Sequence, residues 1–111
     1  MNESNVNLTD TKLKGEKYIC TAIPFDLGEV VYTQGIDSMI RNNLGLNLAI
    51  YIQRHQSGDW GNLDIEDKIA NDEATKKGER VLSSYIICGR KVWIITERDR
   101  SYTTILLPSE Y

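Results

Sequence analysis

Two cysteines, two prolines, one phenylalanine and one histidine are all that this 111-residue chain holds of those types, and their scarcity excludes several chemistries. Cys20 and Cys88 lie far apart and form no C-x-x-C pair, so the expectation is two buried small hydrophobes rather than a disulfide. With His55 as the single histidine and the carboxylates gathered mainly on one stretch, no spacing matches a zinc site or a calcium loop, and neither metal nor cofactor is expected. The chain contains no G-x-x-x-x-G-K-S/T, no G-x-G-x-x-G and no G-x-S-x-G, which removes the usual phosphate cradles and the serine-hydrolase elbow. No apolar run approaches the roughly 20 residues of a bilayer-spanning helix, so no membrane partner is expected. Nor does either sign of charge dominate. Thirteen basic against sixteen acidic residues give a net charge of -3, which marks neither a nucleic-acid binder by overall charge nor an acidic mimic. The polar stretch Met1 to Gly15, with Glu3 and Asp10, lacks the layout of a secretory signal and reads as a flexible tail, 1–15, on a cytoplasmic protein.

What remains, 16–111, is the right size for a single domain with one core. Lys17 to Ile23 is apolar enough for a short helix or strand, and Pro24 blocks its continuation. Gly28 to Thr33 is rich in β-branched and aromatic residues, as a strand requires. Ile36, Met39, Ile40 and Leu44 recur at helical spacing up to Gly45, and Leu46 to His55 fits a helix better than a strand. Asn62 or Asp64 caps a third helix running to Lys77 and ended by Gly78. Ile65, Ile69 and Ala70 are expected inward, with Asp72 to Lys76 and Glu73 to Lys77 pairs outside.

From Arg80 the period changes to two. Arg80 to Cys88, Lys91 to Glu97 and Tyr102 to Leu107 form three strands joined by short turns. The fold class is therefore α+β, with helices packed on one face of a small antiparallel sheet that ends in a three-stranded meander, leaving the other face wet or free for a partner.

Two clusters of polar residues exceed what packing demands. In Arg54-His55-Gln56-Ser57-Gly58-Asp59-Trp60-Gly61, a histidine within reach of Asp59 could serve as a general acid or base. The plainer alternative is a helix-terminal histidine followed by a tight turn whose Trp60 plugs the core, and the flanking glycines favour that inward tryptophan. In Thr96-Glu97-Arg98-Asp99-Arg100-Ser101-Tyr102-Thr103-Thr104, the guanidiniums of Arg98 and Arg100 could bind an anion bidentately. Equally, Asp99 could close a side-chain turn and the charges neutralise one another. Candidate binding residues are thus Arg98, Asp99, Arg100, Thr103, Asp59 and Trp60. Small-ligand capture on the open sheet face by Tyr85, Trp93 and the threonines is a third option.

The stretches His55 to Gly61 and Trp93 to Thr104, with the ending Leu107-Pro108-Ser109-Glu110-Tyr111, resemble a family of small uncharacterised bacterial proteins carried on plasmids, phages and integrative elements. These are often called plasmid-related proteins and sometimes labelled a type I restriction subunit. That label sits badly with a chain too short for long target-recognition regions. The resemblance implies a mobile-element setting and no particular activity. Taken with the missing catalytic signatures and the mixed polar hairpin, it leads to the expectation of a non-catalytic accessory protein that binds a host or defence-system protein, with a homodimer left open. The layout from Arg80-Val81-Leu82-Ser83-Ser84 through Trp93 to Thr103 is also similar to small microbial ribonucleases and related toxins. That likeness implies phosphate contacts from Arg80, Arg98 and Arg100, with Glu97 or His55 moving a proton, although the C-terminal histidine of those enzymes has no counterpart here.

Overall fold

The computed structural model describes residues 17–111, so the tail expected at 1–15 lies outside the described residues. Period-two alternation does become strands, β2 (Val81–Ile87), β3 (Arg90–Thr96) and β4 (Tyr102–Leu106), paired antiparallel in succession. The earlier strand β1 (Glu29–Tyr32) joins them on the far side of β4, in parallel, with Val30 opposite Thr103. Sheet order is β1-β4-β3-β2, so the meander is the consecutive part of a mostly antiparallel, open α+β sheet. A parallel neighbour needs a long crossover, and three helices supply it: α1 (Gln34–Asn42), α2 (Leu48–Gln56) and α3 (Ile65–Lys77). None of the described helices is long and apolar enough to cross a membrane.

Alternation divides the sheet into unlike faces. Tyr85, Ile87, Val92, Ile94 and Ile105 share one face and are buried against Ile36 and Met39 of α1, with Leu48, Tyr51 and Ile52 of α2 beside them. Burying each large aliphatic chain contributes about 1.5–3 kcal/mol, which makes this cluster the main source of stability. Leu44 is not part of it, because α1 ends at Asn42 and Leu44 projects into solvent.

The third helix is capped by Asp64, whose side chain accepts from Asp67 N, and it closes at Gly78. Its inward face is not the expected one. Asn71, Asp72, Ala74 and Thr75 are buried, whereas Ile69 is 50% exposed and Ala70 is also outside. The reason is what α3 packs on: a strand edge and an extended segment, both of which present main-chain polar groups that need partners. The Asn71 amide donates to Leu82 O at 2.6 Å and accepts from Leu82 N at 3.1 Å. Ser84 N donates to Trp60 O, and Ser84 O accepts from Asn62 N. The β2 edge is thereby closed at two successive positions, which protects it from pairing with other chains. Gly61 permits that approach, since it has φ +76° and a Cβ there would lie 2.1 Å from Ser84 O. With Asp72 inside, its expected pair with Lys76 does not form; Lys76 instead meets Glu73 at 3.3 Å and Thr21 Oγ1 at 3.0 Å.

Residues 17–28 are neither helix nor strand. They run extended against α3, placing Phe25 in a second cluster with Trp60, Ala74 and Val81. Both cysteines are exposed and free, contrary to the expectation of burial. Cys88 sits in the tight turn between β2 and β3 with φ 52°, while the Cys20 thiol is drawn toward polar partners, Asp72 Oδ1 at 3.4 Å and Gly58 O at 3.6 Å. At the other end of the chain, Glu110 of the 3-10 turn Pro108–Glu110 accepts from Gly35 N and Thr33 Oγ1. It supplies the N-terminus of α1 with the anionic cap that the Thr33 side chain does not provide.

Candidate functional site

His55 occupies the last turn of α2, and burial of that helix face puts its ring wholly inside, 0% exposed. It does not meet Asp59. Its Nδ1 lies 2.6 Å from Ser83 Oγ and its Nε2 lies 2.9 Å from Thr96 Oγ1. Thr96 Oγ1 is 2.7 Å from Thr103 Oγ1, which donates to Leu27 O at 2.7 Å. A hydroxyl carries a single hydrogen, so the direction of the whole chain follows from its last bond. Thr103 donates to Leu27, Thr96 to Thr103, Nε2–H to Thr96, and Ser83 to Nδ1. The ring is therefore a neutral Nε2–H imidazole with both nitrogens engaged. Burial, assisted by the nearby positive charge of Arg100, pulls its pKa down to about 3. Such a group does not accept a proton at neutral pH. Thr103 belongs to the same internal chain and is fully buried, as is Trp60 at 1% exposure, which bears out the core-plug expectation for the tryptophan.

Asp59 pairs with Arg54 instead, through Nε to Oδ2 at 2.7 Å and Nη2 to Oδ1 at 3.3 Å. Arg54 also stacks over the Tyr85 ring, with its guanidinium carbon 4.7 Å from the centroid. The hydrogen bonds from Arg54 hold the Asp59 carboxyl below its usual range.

The β3–β4 hairpin tip separates its candidates. Arg100 turns back with φ 61°; Nη1 donates to Glu79 O and Glu97 O and Nη2 to Ala74 O, while the guanidinium lies over the Phe25 ring. It adds a charged donor at the end of α3 to Ala74 O, which already accepts from Gly78 N and Glu79 N. Asp99 accepts from Ser101 N and Ser101 Oγ, closing the side-chain turn. Arg98 remains outside, and with Glu79, Arg80 and Glu97 it lines a shallow depression of about 410 Å³. Of the six candidate binding residues, Asp59, Arg98 and Asp99 are therefore at the surface; Trp60 and Thr103 are buried, and Arg100 is half-buried.

The second face of the sheet has no helix layer over it among the described residues. Ile86 is 51% exposed and Tyr102 44%, with Val31 and the half-buried Leu82, Trp93 and Thr104 on the same side by register, while Ile95 and Leu106 on that side are buried. Tyr85 and Thr103, expected here, face the core instead, because the period of two places Ser84 and Tyr102 outward. Tyr111 rests edge-on against Trp93, and the Arg80 guanidinium covers Tyr111. Where α3 meets this face, Leu63, Ala70, Leu82 and Trp93 line a groove of about 400 Å³ with Asn62, Asp67, Asn71, Ser84 and Lys91 around them. Sequence reasoning foresaw a free face but not this groove, since nothing in the spacing shows that α3 runs along the β2 edge. Comparison with known proteins returns no matching family, no matching curated protein and no matching solved structure.

Proposed function

We propose that this chain is a non-catalytic binding protein whose recognition surface is the uncovered face of the sheet and whose partner is another protein. The observation that carries this reading is a one-sided sheet: helices bury one face, while the opposite face presents Ile86, Tyr102, Val31 and a groove floored by Trp93 and Leu82. An exposed aromatic and aliphatic patch with a rim of both charge signs, here Asp67 with Lys91 and Glu97 with Arg98, has the composition of a protein interface. Nucleic acid calls for a predominantly basic surround, which this rim does not have. The plasmid and phage setting implied by the sequence resemblance makes a protein of the bacterial host, or of a defence system, the partner class. Against the ribonuclease-like alternative stand the buried, neutral His55 and the structural engagement of Arg100, although Arg80, Arg98 and Glu97 do share one depression.

The test is affinity capture from host lysate, with and without nuclease treatment, by the wild type, Ile86→Asp and Tyr102→Ala. Both positions are exposed enough that folding should be unaffected, which a melting curve verifies. Recovery of a defined protein by the wild type and its loss with both variants is the expected result. Equal recovery by all three, or recovery that nuclease treatment abolishes, would overturn it.

A further inference from the structure

Residues 18–27 are bound to the rest of the chain as a separate extended peptide would be bound. Among the described residues, none of them makes a backbone–backbone hydrogen bond to the body; side chains of the body grip their main chain instead. Asp72 accepts from Thr21 N at 3.0 Å, Thr75 Oγ1 accepts from Ile23 N at 3.1 Å, and Thr103 Oγ1 donates to Leu27 O. Two side chains complete the fit. The Tyr18 hydroxyl reaches Asp72, and Phe25 lies between the Arg100 guanidinium at 5.6 Å and the rings of His55 and Trp60 at 5.6 and 6.2 Å. An extended main chain read by fixed side chains, with a pocket for one aromatic ring, is a peptide-recognition groove.

The segment meets the body covalently at Gly28, with φ +65° and the carbonyls of Arg100 and Ser101 against it, so that a Cβ would come within 2.4 Å of both. A glycine at this point can leave the positive-φ conformation without steric cost. We propose that residues 18–27 form an exchangeable strap and that a second copy of this chain can place its own strap in the groove, giving a two-fold dimer in which the straps are traded. The groove itself selects this occupant: an empty groove exposes Trp60 and leaves the Asp72 carboxylate and the Thr75 hydroxyl without these partners, and an identical segment restores every contact. Closed monomer and exchanged dimer then contain the same contacts, so their balance follows the chain concentration relative to the effective concentration of the tethered strap, on the order of millimolar for a short connection. Ile19, 77% exposed, and Ile23 lie on the outer side of the strap and give the exchanged pair apolar surface to bury beyond what the monomer buries.

The experiment mixes two preparations of the full chain, both unfolded in urea and refolded together at roughly 1 mM, near that effective concentration. One carries a spin label at Ile19→Cys in a Cys20→Ser/Cys88→Ser background; the other is wild type, isotope-labelled for amide NMR and free of spin label. Exchange predicts a doubled mass and paramagnetic broadening of the Gly58, Asp72 and Thr75 amides in the isotope-labelled copy. A monomer mass for the wild type refolded alone at this concentration would overturn the proposal. So would a dimer without that broadening, which would mean association through another surface. Ile86→Asp, on the uncovered sheet face, should leave strap exchange unchanged, so failure here and failure of partner binding are read separately.

Discussion

Trp60 Nε1 donates to Asp72 Oδ1 at 2.8 Å, joining the tryptophan of the Gly58–Gly61 turn to a carboxylate on α3 that is itself buried. The same carboxylate collects the Tyr18 hydroxyl, Thr21 N and the Cys20 thiol. Burial alone works to raise its pKa, but the donors from Thr21, Trp60, Tyr18 and Cys20 outweigh that and hold it below the ordinary carboxylate range. Asp72→Ala should therefore destabilise the chain by at least about 3 kcal/mol, since several donors lose an ionised acceptor at once. Asp72→Asn keeps one acceptor oxygen and should lose less. Urea unfolding at neutral pH measures both, and an alanine variant as stable as wild type would show that this junction holds nothing together.

Trp60 plugs the second core cluster, so Trp60→Ala should cost on the order of 3 to 5 kcal/mol and lower the melting temperature sharply. In a Trp93→Phe background its fluorescence should be blue-shifted and resistant to quenching. A red-shifted, readily quenched signal would contradict the burial on which the Asp72 junction depends.

Much of this architecture was legible in the sequence because its signals are local. The meander follows from period two and short turns, and the cap at Asp64 and the stop at Gly78 follow from residue type. Inward placement of Trp60 follows from the glycines beside it. What could not be read is non-local. Ile69 looked inward because apolar periodicity assumes an apolar surface to pack on, whereas α3 meets the main-chain edge of β2 and an extended strap that want Asn71, Asp72 and Thr75. The same cause moved the candidate site. Arg100 and Thr103 looked like surface chemistry until the strap carbonyl of Leu27 and the end of α3 supplied internal partners for them.

His55 fixes a pH dependence. Its folded pKa of about 3 lies below the ordinary value of 6.5, so between those values the unfolded chain binds the proton that the folded chain refuses. Stability is therefore full above about pH 6.5 and falls as the pH drops toward 3, at up to about 1.4 kcal/mol per pH unit for this one proton. Asp72 also has its pKa lowered in the fold, where the charged form is kept rather than the neutral one, so the direction of loss is the same. Its contribution is present above the unfolded carboxylate value and disappears as the pH falls through the folded one, and so enters only in the more acidic part of the range. Urea unfolding at pH 7, 6 and 5 isolates the histidine. His55→Gln should flatten that interval, and a wild type equally stable at pH 7 and pH 5 would contradict a buried neutral imidazole.

Arg98 and Arg100, two residues apart on one hairpin tip, should behave as different kinds of residue. Arg100→Ala removes guanidinium hydrogen bonds to Ala74 O, Glu79 O and Glu97 O together with the cover over Phe25. Hydrogen bonds from a charged donor are worth about 1.5–3 kcal/mol each where water is excluded, and this side chain is only half-buried, so a total loss of about 2 kcal/mol is expected. Arg100→Lys keeps the charge but not the planar fork that reaches three carbonyls, and should recover little of that loss. Arg98→Ala, at an exposed position with no hydrogen bond to a described residue, should stay within about 0.5 kcal/mol of wild type. The double variant should then unfold like Arg100→Ala alone, because one of its two sites contributes nothing to add. In partner capture the order reverses for the surface residue: Arg98→Ala can weaken binding through the rim of the uncovered face without moving the melting temperature. Equal destabilisation by the two single variants would mean that the hairpin tip is held by a shared charge network rather than by Arg100 reaching back to the end of α3.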